Sequence, residues 1–171
     1  MPIKIVEAGS LNLQTLAELA VDCIQDSYRE IIPHDFLIHE NKERRLRIWI
    51  DSLSASNSQA YCALCSGEPV AFVTGRIEEN RIDGKVGHVQ SLYVTRAFQR
   101  KRVGARLFAE IEKWFSLNSC NVLTVAVLSE NMRASSFYEK MGCTFVGHSP
   151  YNWHGVEVQL SLYRRDLAWN P

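Results

Sequence analysis

Leu92-Tyr93-Val94-Thr95-Arg96-Ala97-Phe98-Gln99-Arg100-Lys101-Arg102-Val103-Gly104-Ala105 reads as a strand that runs through a basic loop into a helix. The apolar residues Val103, Leu107, Ile111, Trp114 and Phe115 carry that helix onward with one apolar face. A helix start presents backbone N–H groups with no partner and a partial positive charge, and that arrangement binds phosphate. Gly104 and Ala105 leave room for a pyrophosphate to approach the backbone, and Arg96, Arg100, Lys101, Arg102 and Arg106 add charge. These residues alone leave a solvated basic helix start open as the alternative. No Gly-Lys-Ser/Thr follows, so this is not a P-loop, and there is no G-x-G-x-x-G.

The strand before the loop is irregular. Val89, Leu92 and Val94 are apolar at spacings of three and then two, which breaks strict alternation. One extra residue near Ser91 restores it, so a β-bulge is expected there; a strand buried on both faces over residues 87–94 is the alternative. Before this strand lie a β-type run at residues 3–6, a helix capped by Asn12, and a helix carrying Leu46, Trp49, Ile50 and Leu53. Residues 60–65 and 70–77 read as a hairpin around Ser66-Gly67-Glu68-Pro69. Residues 78–85 read as a polar connection with Gly84. After the long helix come an apolar run at 122–128, expected to be buried on both faces, and a helix opened by Asn131 and closed by Gly142. Two further strands are expected near 144–147 and 156–163. The order β-α-α-β-β-β-α-β-α-β-β fits one α/β domain over residues 1–171, a mixed sheet with helices on both faces.

The bulk properties exclude several classes. Lys plus Arg and Asp plus Glu both number 19, so the net charge gives no reason to expect a nucleic-acid partner. No apolar stretch approaches the ~20 residues that span a bilayer, and residues 1–10 lack the apolar block of a signal peptide. A cytoplasmic protein, away from membranes, is expected. Cys62 and Cys65 form a C-x-x-C within an apolar strand, where positions three apart point to opposite faces. No second Cys/His pair stands nearby, so no metal site is expected.

Two blocks carry a family resemblance. Gln99-Arg100-Lys101-Arg102-Val103-Gly104-Ala105 resembles the phosphate-binding motif of the GNAT N-acetyltransferase superfamily, Gln/Arg-x-x-Gly-x-Gly/Ala. Asn131-Met132-Arg133-Ala134-Ser135-Ser136-Phe137-Tyr138-Glu139-Lys140-Met141-Gly142 resembles its second signature. Both stand in the right order, with the apolar strand between them. Arg102 departs from the first motif, where glycine is usual, and Cys143 from the second, where Phe is usual. The side chain of Arg102 would either crowd a pyrophosphate or point outward and add charge.

The resemblance implies a mostly antiparallel sheet of six or seven strands with a central bulged strand, and acetyl-CoA as acyl donor. Leu92, Tyr93 and Val94 would pair with the pantetheine arm, the Val94 N–H polarising the thioester. Amides of Gln99, Arg100, Lys101, Arg102, Val103, Gly104 and Ala105 would hold the pyrophosphate. Asn131, Ser135 and Lys140 would touch the cofactor. Tyr138 would protonate the departing thiolate, although a core Tyr is the reading its helical spacing alone leaves open. The amine must lose a proton first, since alkyl amines have pKa values near ~10.4. Where some relatives carry a Glu on the strand, this chain has His88 and Gln90. His88, with an ordinary pKa of ~6.5, would take the proton directly or through water; a strand histidine with a backbone partner is the alternative.

The implied acceptor is an amine held by Tyr28, Ile31, Phe36, Glu78, Gln90 and Tyr151. A small cationic amine or polyamine, attacking directly in a ternary complex, is expected from aromatics and carboxylates together. A peptide or protein amine and a non-catalytic acyl-CoA-binding module are the alternatives. Family habit implies a homodimer.

Overall fold

In the computed structural model, described over residues 2–167, the chain forms a seven-stranded sheet in the order β1-β2-β3-β4-β5-β7-β6. The strands are β1 Ile3–Glu7, β2 Ser58–Cys65, β3 Glu68–Asn80, β4 Gly84–Val94, β5 Val122–Leu128, β6 Thr144–Trp153 and β7 Val156–Asp166. The helices are α1 Leu13–Tyr28, α2 His34–Leu37, α3 Lys42–Ser54, α4 Val103–Leu117 and α5 Met132–Lys140. Every neighbouring pair is antiparallel except β4 and β5, which the α4 crossover makes parallel.

Local chemistry places the elements. Asn12 caps α1 by accepting from the N–H groups of Gln14 and Thr15, and Asn131 caps α5 by accepting from that of Ala134. Ser66 and Gly67 both have positive φ, 53° and 90°, which is the turn that closes a two-residue hairpin between twisted strands. Gly142, at φ 82°, follows the end of α5, as expected of a helix stop.

The sheet separates two apolar layers. On one side α1 and α3 bury Leu16, Ile24 and Trp49 against Cys62 and Phe72. On the other, α4 and α5 bury Leu107, Phe108, Ile111 and Phe115 against Val73 and Val89. Cys62 and Cys65 fall in different layers, as strand spacing requires. Phe115 lies directly on the sheet because Gly75 and Gly87 have no side chain beneath it. A Cβ on Gly75 would stand 2.7 Å from the Phe115 ring, and one on Gly87 would collide with it outright.

Several sequence expectations need correction. The short helix α2 separates α1 from α3, where only an interruption at Pro33 is expected. The polar stretch 78–85 is largely strand: β3 runs to Asn80 and β4 starts at Gly84. These residues are exposed hairpin arms with no apolar face, so periodicity gives no signal there. The strand expected at 144–147 continues to Trp153 for the same reason, because β6 is an edge strand exposed along most of its length. β5 is not buried throughout: Ala126 is exposed, one residue beyond the point where β5 leaves β4. Among the described residues no helix is long and apolar enough to cross a membrane.

Candidate active site

Parallel pairing of β4 with β5 runs from Val86–Val122 to Val89–Val125 and then stops. Beyond it the strands part, and β4 continues alone beside β3. The bulge lies at this point. Thr74 pairs with Ser91 while the next residue, Gly75, pairs with Val89, so Gln90 is the extra residue. The expected bulge near Ser91 is therefore present, centred one position earlier.

The bulge swaps the faces of β4. Val89 faces the α4 layer, and strict alternation would send Leu92 to the other side. With Gln90 inserted, Leu92 and Val94 pack on the α4 layer and Tyr93 on the α1 layer. The ladder also fixes the backbone. The N–H of Thr95 donates to the carbonyl of Val70 on the β3 side. Alternation then turns the N–H groups of Val94 and Leu92 away from β3, into the gap. The carbonyl of Val94 points the same way and accepts a hydrogen bond from Gln99 Nε2 at 3.0 Å.

The start of α4 borders this gap. A Cβ on Gly104 would meet Leu92 of β4 and Phe137 of α5 at 3.4–3.6 Å, ordinary contact distances. Protein packing therefore does not demand glycine here. No side chain caps the helix, and the first backbone bond into it runs from the N–H of Arg106 to the carbonyl of Arg102. Among the described residues, no N–H from 100 to 105 donates to a protein group. Arg100, Lys101 and Arg102 are exposed around these amides. Arg102 points outward in the left-handed region, at φ 63°, and Arg100 does likewise at φ 59°. The structure thus answers the question posed by Arg102: glycine suits this position through its backbone freedom. Arg106 is committed elsewhere, donating to the carbonyl of Ile3 at 3.0 Å. A run of unpartnered amides, open backbone and cations is the donor set a pyrophosphate requires.

Tyr138 is buried between the Phe108 and Phe137 rings, at centroid distances of 6.0 and 5.1 Å. Its hydroxyl makes no hydrogen bond among the described residues, yet it is not sealed from solvent. Burial, followed by the nearby Tyr28 and Cys143, pushes its phenol above the ordinary value, so it stays protonated at neutral pH. Tyr28 and Tyr93 share a hydrogen bond of 2.8 Å between their hydroxyls. Burial raises both phenols as well. Trp153 stands edge-on to Tyr28 at 5.1 Å. Three tyrosines from α1, β4 and α5 therefore converge at the parting strands.

His88 lies one residue before the last β4–β5 pair, on the face opposite Val89. Its Nδ1 is 2.5 Å from Thr124 Oγ1, and its Nε2 is 3.6 Å from Glu78 Oε2. Both ring edges thus face a partner side chain. Gln90 is exposed at the bulge, and Tyr151 is exposed on β6. Ile31 and Phe36 pack on the α1 layer. On α5, Ser135 is buried and Lys140 is exposed at the far end, about 13 Å along the axis from Asn131 at 1.5 Å per residue. Among the described residues no His/Cys/Asp/Glu group of three or more stands ready to hold a metal.

Sequence reasoning missed two features. Gln99 is a bridge: its Oε1 accepts from Arg133 Nη1 at 2.7 Å while its Nε2 holds Val94. Glu40, one residue before the cap of α3, is a buried carboxylate 2% exposed. Burial alone would raise its carboxyl, but Arg45 foremost, with His154 and Arg44, outweighs burial and holds it below the ordinary range. In the sequence Glu40 sits within a run of polar residues and looks like part of a solvated face.

Solved structures with the same architecture are numerous. The PaiA N-acetyltransferase of Thermoplasma acidophilum in complex with coenzyme A matches with a TM-score of 0.72 and 21% identity, over 97% of this chain and 99% of that one. NAA60 of Arabidopsis thaliana in complex with a bisubstrate analogue matches at 0.76 and 17%, over 99% and 100%. The ribosomal-protein-S18-alanine N-acetyltransferase of Escherichia coli matches at 0.72 and 12%, over 99% and 97%. These likenesses speak for the fold. The sequence itself matches the acetyltransferase (GNAT) family across residues 21–143, from within α1 through both motifs. By that match the chain belongs to the acetyltransferase (GNAT) family, the enzymes that take an acetyl group from acetyl-CoA.

Proposed function

We propose that the chain transfers the acetyl group of acetyl-CoA to a small cationic primary amine, by direct attack within a ternary complex. The observation that carries the donor half is the parting of β4 from β5 beside a helix start whose amides, 100–105, have no protein partner. Those amides and the exposed Arg100, Lys101 and Arg102 would hold the pyrophosphate. The backbone of Leu92, Tyr93 and Val94 would pair with the pantetheine arm, and Asn131, Ser135 and Lys140 would line its other side. The Val94 N–H, turned into the gap, would hold the thioester oxygen and stabilise the oxyanion as the tetrahedral intermediate forms.

The acceptor half rests on the opposite face of β4. Tyr28, Tyr93 and Trp153 offer aromatic surface to a cation. Glu78 and His88 add a carboxylate and a titratable ring within reach of each other. His88 would accept the ammonium proton through water, its ring oriented by Thr124. As the C–S bond breaks, Tyr138 would give its proton to the leaving thiolate, and the nitrogen would shed its second proton through water as the amide forms, restoring the phenol. Tyr138 suits this because burial keeps it protonated and its hydroxyl has no competing acceptor.

A thiol-release assay with acetyl-CoA against aliphatic amines, amino acids, aminoglycosides and peptides tests the reading. Amine-dependent thiol release with aliphatic amines is expected. Calorimetry with acetyl-CoA on Gly104→Glu is expected to show severe loss of binding, because a carboxylate would enter the phosphate site. Wild-type affinity in that variant refutes the site.

A further inference from the structure

A row of polar side chains crosses the sheet on its α1 side. Ser58 of β2 pairs with Arg76 of β3, Arg76 with His88 of β4, and His88 with Thr124 of β5. Alternation fixes the face. Gly75 lies beneath Phe115 of α4, which sends Arg76 to the other side. Ala60 packs in the α1 layer, and Ser58, two residues earlier, shares its side. Directly opposed residues on one face stand ~4.5–5.5 Å apart, so Ser58, Arg76 and His88 are side-chain neighbours. The row is open at β4, where the His88 side chain is 38% exposed. His88 and Thr124 bond to each other, and Glu78 faces His88 at 3.6 Å. Arg76 and Ser58 are not satisfied in this way. Arg76 Nε and Ser58 Oγ are both buried without a hydrogen-bond partner. Arg76 also forms no ion pair among the described residues. Arg164, opposite Thr124 in the same row, is the contrast: it is paired with Asp83 at 2.8 Å and with Asp166 at 3.2 Å.

Buried polar groups are almost always bonded, so two orphans side by side call for a partner. A guanidinium edge and a hydroxyl both donate, and a carboxylate accepts from both at once. We propose that Arg76 and Ser58 form a carboxylate subsite on the acceptor face, so that the amine to be acetylated carries a carboxylate at its far end. The proposal rests on the acyl-transfer reading above and specifies the acceptor of that reaction. Spacing along β3 sets the acceptor's shape. Phe72, opposite Tyr93, is four residues from Arg76, about 13 Å at ~3.3 Å per residue. The carboxylate therefore stands many bonds from the reacting nitrogen, as in a linear ω-amino acid. An α-amino group, one carbon from its carboxylate, cannot reach the gap beside Val94 while Arg76 holds the carboxylate.

The test compares 8-aminooctanoate with heptylamine, the same chain without the carboxylate, and with 1,8-diaminooctane. Each is assayed by thiol release from acetyl-CoA. In wild type, kcat/KM for 8-aminooctanoate is expected to exceed that for heptylamine by about tenfold or more, the worth of a hydrogen bond to a charged group. Arg76→Gln removes the charge and should bring that ratio close to one. Arg76→Glu reverses the charge and should favour 1,8-diaminooctane over 8-aminooctanoate. Ser58→Ala, a milder change that spares the arginine, should lower the ratio severalfold and keeps the test open if an Arg76 variant fails to fold. A wild-type ratio near one overturns the subsite. So does an Arg76→Gln enzyme that loses activity equally with 8-aminooctanoate and heptylamine, since an arginine with a purely structural role would act on both alike. Acetyl-CoA binding with no thiol release from any of the three amines in wild type overturns the acyl-transfer reading itself, and the subsite with it.

Discussion

Replacing Tyr138 with Phe separates catalysis from packing, because the structure gives the hydroxyl nothing to hold. The ring stays between Phe108 and Phe137. The hydroxyl has no hydrogen-bond partner among the described residues, so its removal leaves no orphan behind. A fully desolvated, unbonded hydroxyl costs roughly 0.5–2 kcal/mol on octanol-type scales, and this one, which reaches solvent, returns no more than the lower end of that range when deleted. For a chain of this length 1 kcal/mol moves Tm by about 2–4 °C, so Tm should hold or rise slightly. Activity should behave oppositely. Loss of a positioned proton donor typically lowers kcat by ~10²-fold, equivalent to about 2.7 kcal/mol at ~1.36 per decade. Since burial raises the Tyr138 phenol, its own ionisation should not appear in the pH–rate profile between 6 and 9. The assay is thiol release at saturating acetyl-CoA and amine, with a viscosity series to show that chemistry limits the rate. Turnover within about threefold of wild type under those conditions would remove Tyr138 from the mechanism. A fall in Tm of many degrees would show that the hydroxyl is structural after all.

Arg102→Gly should raise Tm by a few degrees at most, since a left-handed non-glycine residue costs roughly 1–2 kcal/mol and glycine's extra unfolded-state freedom takes back ~0.4–1; the same variant should bind acetyl-CoA more weakly, and a lower Tm contradicts the strain argument. Gly87→Ala should destabilise by about 1–3 kcal/mol, the usual range for overpacking, because its Cβ collides with the Phe115 ring; a urea midpoint equal to wild type disproves the close approach. Stability should fall in alkali. Burial lifts the Cys23 and Cys62 thiols from 9.0 to about 12 and Cys143 to about 11. These folded pKa values lie above the unfolded one, so their contribution is complete below about pH 8.5 and is lost as pH rises toward 11–12, at about 1.4 kcal/mol per pH unit per thiol. Urea midpoints that stay level between pH 8 and 10.5 would refute it.

The elements that frame the proposed donor site were readable because they are local. A bulge shows as a break in alternation at Val89, Leu92 and Val94, and a helix start shows as Gly104 after a basic loop; neither needs a distant residue. Gly142 and the caps at Asn12 and Asn131 are equally local signals, and the structure has all of them. The proposed acceptor side is built differently. Tyr28 is bonded to Tyr93, which lies 65 residues away, and Glu40 to His154, which lies 114 residues away. Such pairs carry no spacing that a sequence displays. The exposed arms of β3 and β4 and the edge strand β6 escaped for another reason. A strand with no buried face has no alternation to read, and its pairing partner alone makes it a strand.

The two left-handed arginines tie these observations together. Arg100 and Arg102 hold a conformation that glycine adopts without strain, at φ 59° and 63°. A side chain there has a steric cost of roughly 1–2 kcal/mol, and neither guanidinium forms an ion pair among the described residues. Within the protein alone these residues are a net loss. The cost becomes reasonable beside the amides of 100–105, which also lack a protein partner. Cations without a protein counter-charge and amides without a protein acceptor, on one loop, are the donor set on which the proposed pyrophosphate site rests.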